Sequence, residues 1–268
     1  MTRASWLAKG YLTAVYAFLF IPALFVVLFS FNDSQFWSFP LRGLTTRWYV
    51  ELLDRPDAMT ALRNSVGVAI TTVVLSVALG GSTAVAFHRW RVRSAALAEG
   101  VMLLPQLIPT LIWGLGLLLM LTALEAPMGA PTVVLGHVLY NTPYVFLLVR
   151  ARYNSLDPNL ELAARGLGAS TLGTFRRIVL PHIAPGLIAG GLLSFAVSFS
   201  DVVIAFLLSG GGFNTLPVFI YSLIQNEPSS IINAVASIVF LVALSGTLGA
   251  LVFVGREAAL LGGDKSRG

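Results

Sequence analysis

Apolar residues in this chain gather into six long blocks separated by short polar or charged segments: Tyr11 to Phe31, Ser65 to His88, Ala98 to Thr122, Thr132 to Val149, Gly186 to Ser209 and Asn233 to Val254. A block of about 20 residues is the helix that crosses about 30 Å of hydrocarbon at about 1.5 Å per residue. The pattern predicts an all-α membrane protein with six transmembrane helices in a single domain over residues 1–268. Alternating segments of about ten residues, which a transmembrane barrel needs, are absent. A further apolar stretch, Thr215 to Gln225, has eleven residues. It is too short to span and is expected to lie on the membrane or fold back into the bundle. Composition agrees: 56% of residues are hydrophobic and 11% charged, against about 25% charged in soluble domains.

Charge placement sets the orientation. With the N-terminus inside, the inner segments 1–10, 89–97, 150–185 and 255–268 hold 13 of the 17 Lys and Arg. The positive-inside rule therefore puts both termini in the cytoplasm. The other four, Arg42, Arg47, Arg55 and Arg63, share the first outer loop with Asp33, Glu51, Asp54 and Asp57. Loops 123–131 and 210–232 carry Glu125 and Glu227 and no Lys or Arg. Trp37, Phe39 and Trp48 of outer loop 32–64 suit the membrane interface. Arg3 and Lys9 precede an apolar run as in a signal peptide, but the run is too long and lacks a small-x-small exit, so it is expected to remain as a span.

The chemistry the chain lacks narrows its function. Its two lysines, Lys9 and Lys265, do not complete a phosphate-cradling G-x-x-x-x-G-K loop. His88, His137 and His182 show no His-x-x-x-His or Glu-x-x-His pairing, so no metal site is expected. The absence of cysteine excludes disulfides, thiolate metal sites and a thiol nucleophile, and no G-x-S-x-G elbow is present. No catalytic residue and no nucleic-acid partner are expected. If this protein moves something uphill, its energy comes from elsewhere.

The cytoplasmic loop 154–185 is the informative segment. Asp157-Pro158 caps a helix start, Glu161 lies in its first turns, and Ala163, Ala164 and Leu167 make a small apolar face ending at Gly166 and Gly168. A second amphipathic segment, Ser170 to Val179, carries Arg176 and Arg177, and Pro181 and Pro185 are expected to end it. Two short helices with Ala and Gly at their junction form a compact knob suited to a groove of another protein. A loop kept basic for topology is the plainer alternative.

The same stretch resembles the E-A-A-x3-G-x9-I-x-L-P signature of the membrane-spanning subunits of ABC importers. Ala163, Ala164, Gly168, Ile178, Leu180 and Pro181 fall at its spacing, with nine residues between Gly168 and Ile178. The glutamate position of the signature holds Leu162, with Glu161 one residue earlier, a rotation of about 100° on a helix. In that family the loop is a coupling helix that docks into the ATPase subunit. The resemblance implies a type I ABC importer permease in the bacterial inner membrane. It also implies a homologous second permease, a dimer of ATP-binding subunits holding ATP and Mg, and a periplasmic substrate-binding protein.

Phe31-Asn32-Asp33-Ser34, Gly43 to Tyr49, Asn64-Ser65, Phe199 to Val203, Leu216-Pro217 and Ile220-Tyr221-Ser222 are similar to the second permease of spermidine/putrescine importers. They imply a polyamine-like solute, although importers for aminophosphonates, ferric ion, thiamine and opines share the architecture. A secondary transporter would need several intramembrane ionisable groups and internal symmetry. The sequence offers one such carboxylate and no clear repeat, and the coupling signature argues against a membrane protein without transport.

That carboxylate is Asp201. An ionised carboxylate in a span costs about 2.5 to 3.5 kcal/mol, so it is expected to face a cavity, a partner charge or solute. Ser194, Ser198 and Asp201 stand at i, i+4 and i+7 on one helix face, with Gly190 one turn earlier, a stripe that can line a substrate pathway. Serines bonded back to their own helix, with Gly190 admitting a neighbour, are the plainer account. Pro105 and Pro109 predict a bend in the third span, either a midplane cavity or a simple kink. His137 and Asn141, four apart, suit hydrogen bonding between helices. Tyr140, Tyr144, Trp113, Phe195 and Phe199 offer cation–π surfaces to an amine.

Overall fold

The computed structural model describes residues 3–34, 40–89, 95–226 and 230–262. Trp37, Phe39 and Glu227 lie outside them. The described chain is almost wholly helical: α1 (Arg3–Phe29), α2 (Arg47–Leu53), α3 (Pro56–Arg89), α4 (Ala95–Leu107), α5 (Thr110–Ala123), α6 (Ala130–Asn154), α7 (Pro158–Gly166), α8 (Thr171–Thr174), α9 (Leu180–Ser200), α10 (Val203–Leu208), α11 (Leu216–Asn226) and α12 (Ile231–Gly262). Five helical runs are long and apolar enough to cross a membrane: Lys9–Phe29, Pro56–Arg89, Ala130–Asn154, Thr171–Ser200 and Ile231–Val252. A sixth results if Glu99–Leu107 and Thr110–Ala123 count together, although their axes bend by 105°.

Several boundaries differ from the hydropathy pattern. The third block is not one straight rod, because Pro109 sits between α4 and α5 with ψ 135, an angle no helix accommodates. In the fifth block α9 stops at Ser200, since Asp201 is extended with ψ 131. Pro181 and Pro185 do not end the preceding segment. Phe175–Val179 forms a π-turn in which the Leu180 N–H reaches back to the Phe175 carbonyl, and α9 continues from it. The wide turn suits Pro181, which has no N–H to give and whose ring crowds the carbonyl four residues back.

The chain forms two compact units, residues 1–63 with 215–241, and residues 64–214 with 242–268. In the first, Asn32 ties the segment after α1 to α2. Its carbonyl accepts the Trp48 indole N–H at 2.8 Å, its side-chain oxygen accepts the Arg42 N–H at 3.0 Å, and its backbone bridges Leu44. Trp48 is therefore buried, not spread along the interface as its position suggests; the indole gains a fixed acceptor inside. Arg47 pairs with Asp33 at 2.8 Å. The apolar stretch after Asn214 forms the eleven-residue α11, which buries Leu216, Phe219 and Leu223 on one face and Pro217 and Val218 in its first turn.

The second unit is built on glycines that let helices touch backbone to backbone. A Cβ on Gly80 of α3 would stand 2.7 Å from the Thr142 carbonyl oxygen and 2.9 Å from the Phe146 nitrogen of α6. On Gly190 of α9 it would stand 2.9 Å from the Val145 Cα. Below these contacts Val145, Phe146, Val149, Tyr153, Val179 and Ile183 form a buried apolar core.

Candidate functional site

The loop after α6 folds as a helix with both ends closed. The Asp157 carboxylate accepts the Asn159 N–H at 2.9 Å and Pro158 takes the first helical position, where a missing N–H costs nothing. At the other end the Gly168 N–H bonds the Arg165 carbonyl and the Ala169 N–H bonds the Ala164 carbonyl. That pair of bonds is a Schellman cap, which requires a left-handed residue, and Gly168 supplies it with φ +86. A side chain at Gly168 would meet nothing within 4 Å, so the glycine serves the turn and not a close approach within this chain.

Glu161 faces inward. Its carboxylate accepts the Tyr153 hydroxyl at 3.0 Å, and buried Tyr153 is stacked against His88 of α3 with ring centroids 3.8 Å apart. Leu162, at the glutamate position of the signature, points outward and is 64% exposed. With Leu160, Leu167 and Leu172 it gives the knob exposed apolar side chains; the shift of the carboxylate by one residue accounts for Leu162 alone. Ala163 is exposed and Ala164 half-buried. Ile178 packs on the apolar core, while Leu180 and Pro181 open α9 with their side chains largely exposed.

The second cluster lies where α9 ends. His137 of α6 is 1% exposed and Asp201 13%. His137 Nδ1 lies 2.8 Å from the Ser198 hydroxyl and Nε2 lies 3.2 Å from Asp201 Oδ2. The same Oδ2 accepts the Ala205 N–H at 3.0 Å, so the carboxylate caps the first turn of α10. Neither serine of the stripe bonds back to its own helix: Ser198 bonds to His137, and the buried Ser194 hydroxyl has no partner among the described residues. Asn141 gives its side-chain N–H to the His137 carbonyl at 2.8 Å and leaves Oδ1 unpaired. Of the aromatics, Phe195 and Phe199 stack at 5.7 Å, and Tyr140 and Tyr144 meet edge to face at 6.4 Å. The His137–Ser198 bond joins residues 61 apart in sequence. Its only local signals are two i, i+4 polar pairs on separate helices.

Residues 76–255 match the family described as binding-protein-dependent transport system inner membrane component. The chain is 36% identical to the putrescine transport system permease protein PotI of Escherichia coli (strain K12), over 89% of this chain and 85% of that protein. It is 30% identical to the spermidine/putrescine transport system permease protein PotC of Shigella flexneri, over 96% and 97%. Among solved structures, a bacterial ABC transporter that imports the acidic polysaccharide alginate aligns at TM-score 0.71 and 18% identity, covering 95% of this chain and 96% of that one.

Proposed function

This chain belongs to the binding-protein-dependent transport system inner membrane components, and from that membership we propose that it forms one half of an ATP-driven import pathway for a polyamine-like cation. A homologous second permease forms the other half. A periplasmic binding protein delivers the solute, and a dimer of ATP-binding subunits, holding ATP and Mg, drives the cycle. Both termini lie in the cytoplasm. The α7 knob, with Glu161, Leu162, Ala163, Ala164, Gly168, Ile178, Leu180 and Pro181, is the part that engages the ATPase.

One observation carries this reading: α7 is capped at both ends, yet Leu160 and Leu162 on it, Leu167 just after it and Leu172 on α8 are turned to solvent. An apolar surface displayed on a preorganised helix is suited to a groove in another protein. Inward contacts of the loop, among them Glu161 with Tyr153 and Ile178 with the core, join the knob to α6, which carries His137, and to α9, which ends just before Asp201.

The solute assignment draws support from the names of the relatives and from Asp201, with Ser198 and Ser194 beside it on the pathway. Both bonds found for the Asp201 carboxylate go to Oδ2, which leaves Oδ1 for an ammonium group. The test is uptake of labelled putrescine by the complete importer in vesicles. Asp201→Asn keeps the shape and loses the charge, and is expected to raise KM about tenfold, equivalent to ~1.4 kcal/mol. Wild-type uptake by that variant, or competition by an aminophosphonate, ferric ion, thiamine or an opine in place of a polyamine, overturns the solute assignment and leaves the family untouched.

A further inference from the structure

We propose that His137 is a positioning residue that sets the charge of the Asp201 site, so that its protonation weakens capture of a cationic solute. The inference rests on the reading of Asp201 as a solute contact. A carboxylate accepts hydrogen bonds and donates none, so the 3.2 Å contact is attractive when Nε2 carries the proton. In a neutral ring Nδ1 is then an acceptor, and the Ser198 hydroxyl at 2.8 Å is the donor that selects this tautomer. The site carries one negative charge in that state. When the ring gains a second proton, Nδ1–H donates to Ser198, the pair with Asp201 becomes neutral overall, and Oδ1 loses attraction for an ammonium group.

The surroundings leave His137 as the group that changes charge. One turn from the contact of Gly80, Val145 and Gly190, the same three helix faces carry Ser76, Asn141 and Ser194; two turns along they carry Thr72, His137 and Ser198. All but His137 are neutral at any ordinary pH. No ionisable residue occurs in Thr110–Ala123 of α5 or in Val203–Leu208 of α10, the two helices that approach Gly136 beside His137. On α6 the titratable neighbours are Tyr140 and Tyr144; Arg150 and Arg152 stand at its far end, where α4 faces Arg150 with Glu99. The one titratable group of α9 is His182, in its first turn, and α3 carries Asp57 and Arg63 in its first turns and His88 and Arg89 in its last. The buried ring is shielded from solvent while the carboxylate reaches it, so the histidine acts on solute through Asp201.

Uptake of labelled putrescine by the complete importer, measured from pH 7.5 to pH 5.5 alongside its ATPase rate, tests this. Wild type is expected to raise KM on acidification by about fivefold or more, the low end of coupling between linked binding events, with kcat changing less. His137→Gln is expected to abolish the KM dependence, and Ser198→Ala to alter it, because the hydroxyl that selects the tautomer is lost. A flat wild-type KM, or an unchanged acid rise in His137→Gln, overturns the proposal. Wild-type behaviour of Asp201→Asn at pH 7.5 removes the underlying reading instead, so the two failures are distinct. A titration independent of transport is available because the chain has three histidines. Nitrogen-15 NMR of histidine-labelled protein is expected to show His137 as the Nε2–H tautomer, with that preference lost in Asp201→Asn. The opposite tautomer in wild type, or an unchanged preference in Asp201→Asn, overturns the proposal, even where His137→Gln fails to assemble.

Discussion

Gly168 and Glu125 occupy the same place in the same turn. At the end of α5 the Glu125 N–H bonds the Thr122 carbonyl and the Ala126 N–H bonds the Leu121 carbonyl, repeating the bonds that close α7. Glu125 is the one described residue other than glycine with positive φ, at 54°. A side chain in that conformation costs about 1 to 2 kcal/mol. Glu125→Gly is therefore expected to stabilise the subunit, raising Tm in detergent by about 2–4 °C. Gly168→Ala is expected to lower uptake and solute-stimulated ATPase together while membrane insertion is retained, with Gly168→Asn milder because asparagine tolerates the left-handed region. Equal activity of the Ala variant and wild type would show that the cap does not matter to coupling. Gly80 presents the opposite case, since an added methyl meets the backbone of Thr142 and Phe146. Gly80→Ala is expected to destabilise by about 1–3 kcal/mol, whereas Gly116→Ala, with open space around it, is expected to gain about 0.5–1 kcal/mol, both read from thermal unfolding.

Single elements differ in how much of themselves they write into local sequence. Helix α7 is legible almost residue by residue, because its start signal Asp157-Pro158 and its stop Gly168 are local backbone chemistry. The breaks at Pro109 and Asp201 are harder to read. Each falls inside an apolar block, and one proline or one aspartate leaves the average hydropathy of about 20 residues nearly unchanged. The start of α3 is hidden for the converse reason: Asp57, Thr60, Arg63 and Asn64 interrupt the apolar residues of 56–64, so hydropathy begins the span at Ser65, although Pro56 and Asp57 carry the composition of a helix start. The attachment of α7 to α6 needed three dimensions. Tyr153→Phe removes the hydroxyl that meets Glu161 and leaves a carboxylate that is 15% exposed without that donor. The expected cost is about 1–3 kcal/mol, seen as a lowered Tm and as ATP hydrolysis less tightly tied to uptake.

At the scale of the molecule, charge and hydropathy carry most of the architecture, while the pairing of His137 with Ser198 depends on which helices become neighbours. Orientation is open to direct test, since the chain lacks cysteine. Leu124→Cys, at an exposed site after α5, is expected to react with an impermeant thiol reagent applied from the periplasm, and Ala169→Cys, exposed beside the knob, only after the membrane is opened. The reverse pattern overturns the orientation and with it the engagement of α7 by an ATP-driven partner.

The π-turn at Phe175–Val179 gives the length of this segment an angular meaning. Helix α9 has 21 residues, so it is a rod of about 30 Å, and each residue added or removed below it turns it by about 100°. Deleting Arg176 would leave the knob capped and the rod intact, yet swing Ser198 more than a quarter of a revolution away from His137. The nine residues between Gly168 and Ile178 are in this sense a dial setting, an angle recorded as a count. Substitutions within that interval turn nothing, whereas the loss of any one of its members puts the two ends of the segment out of phase.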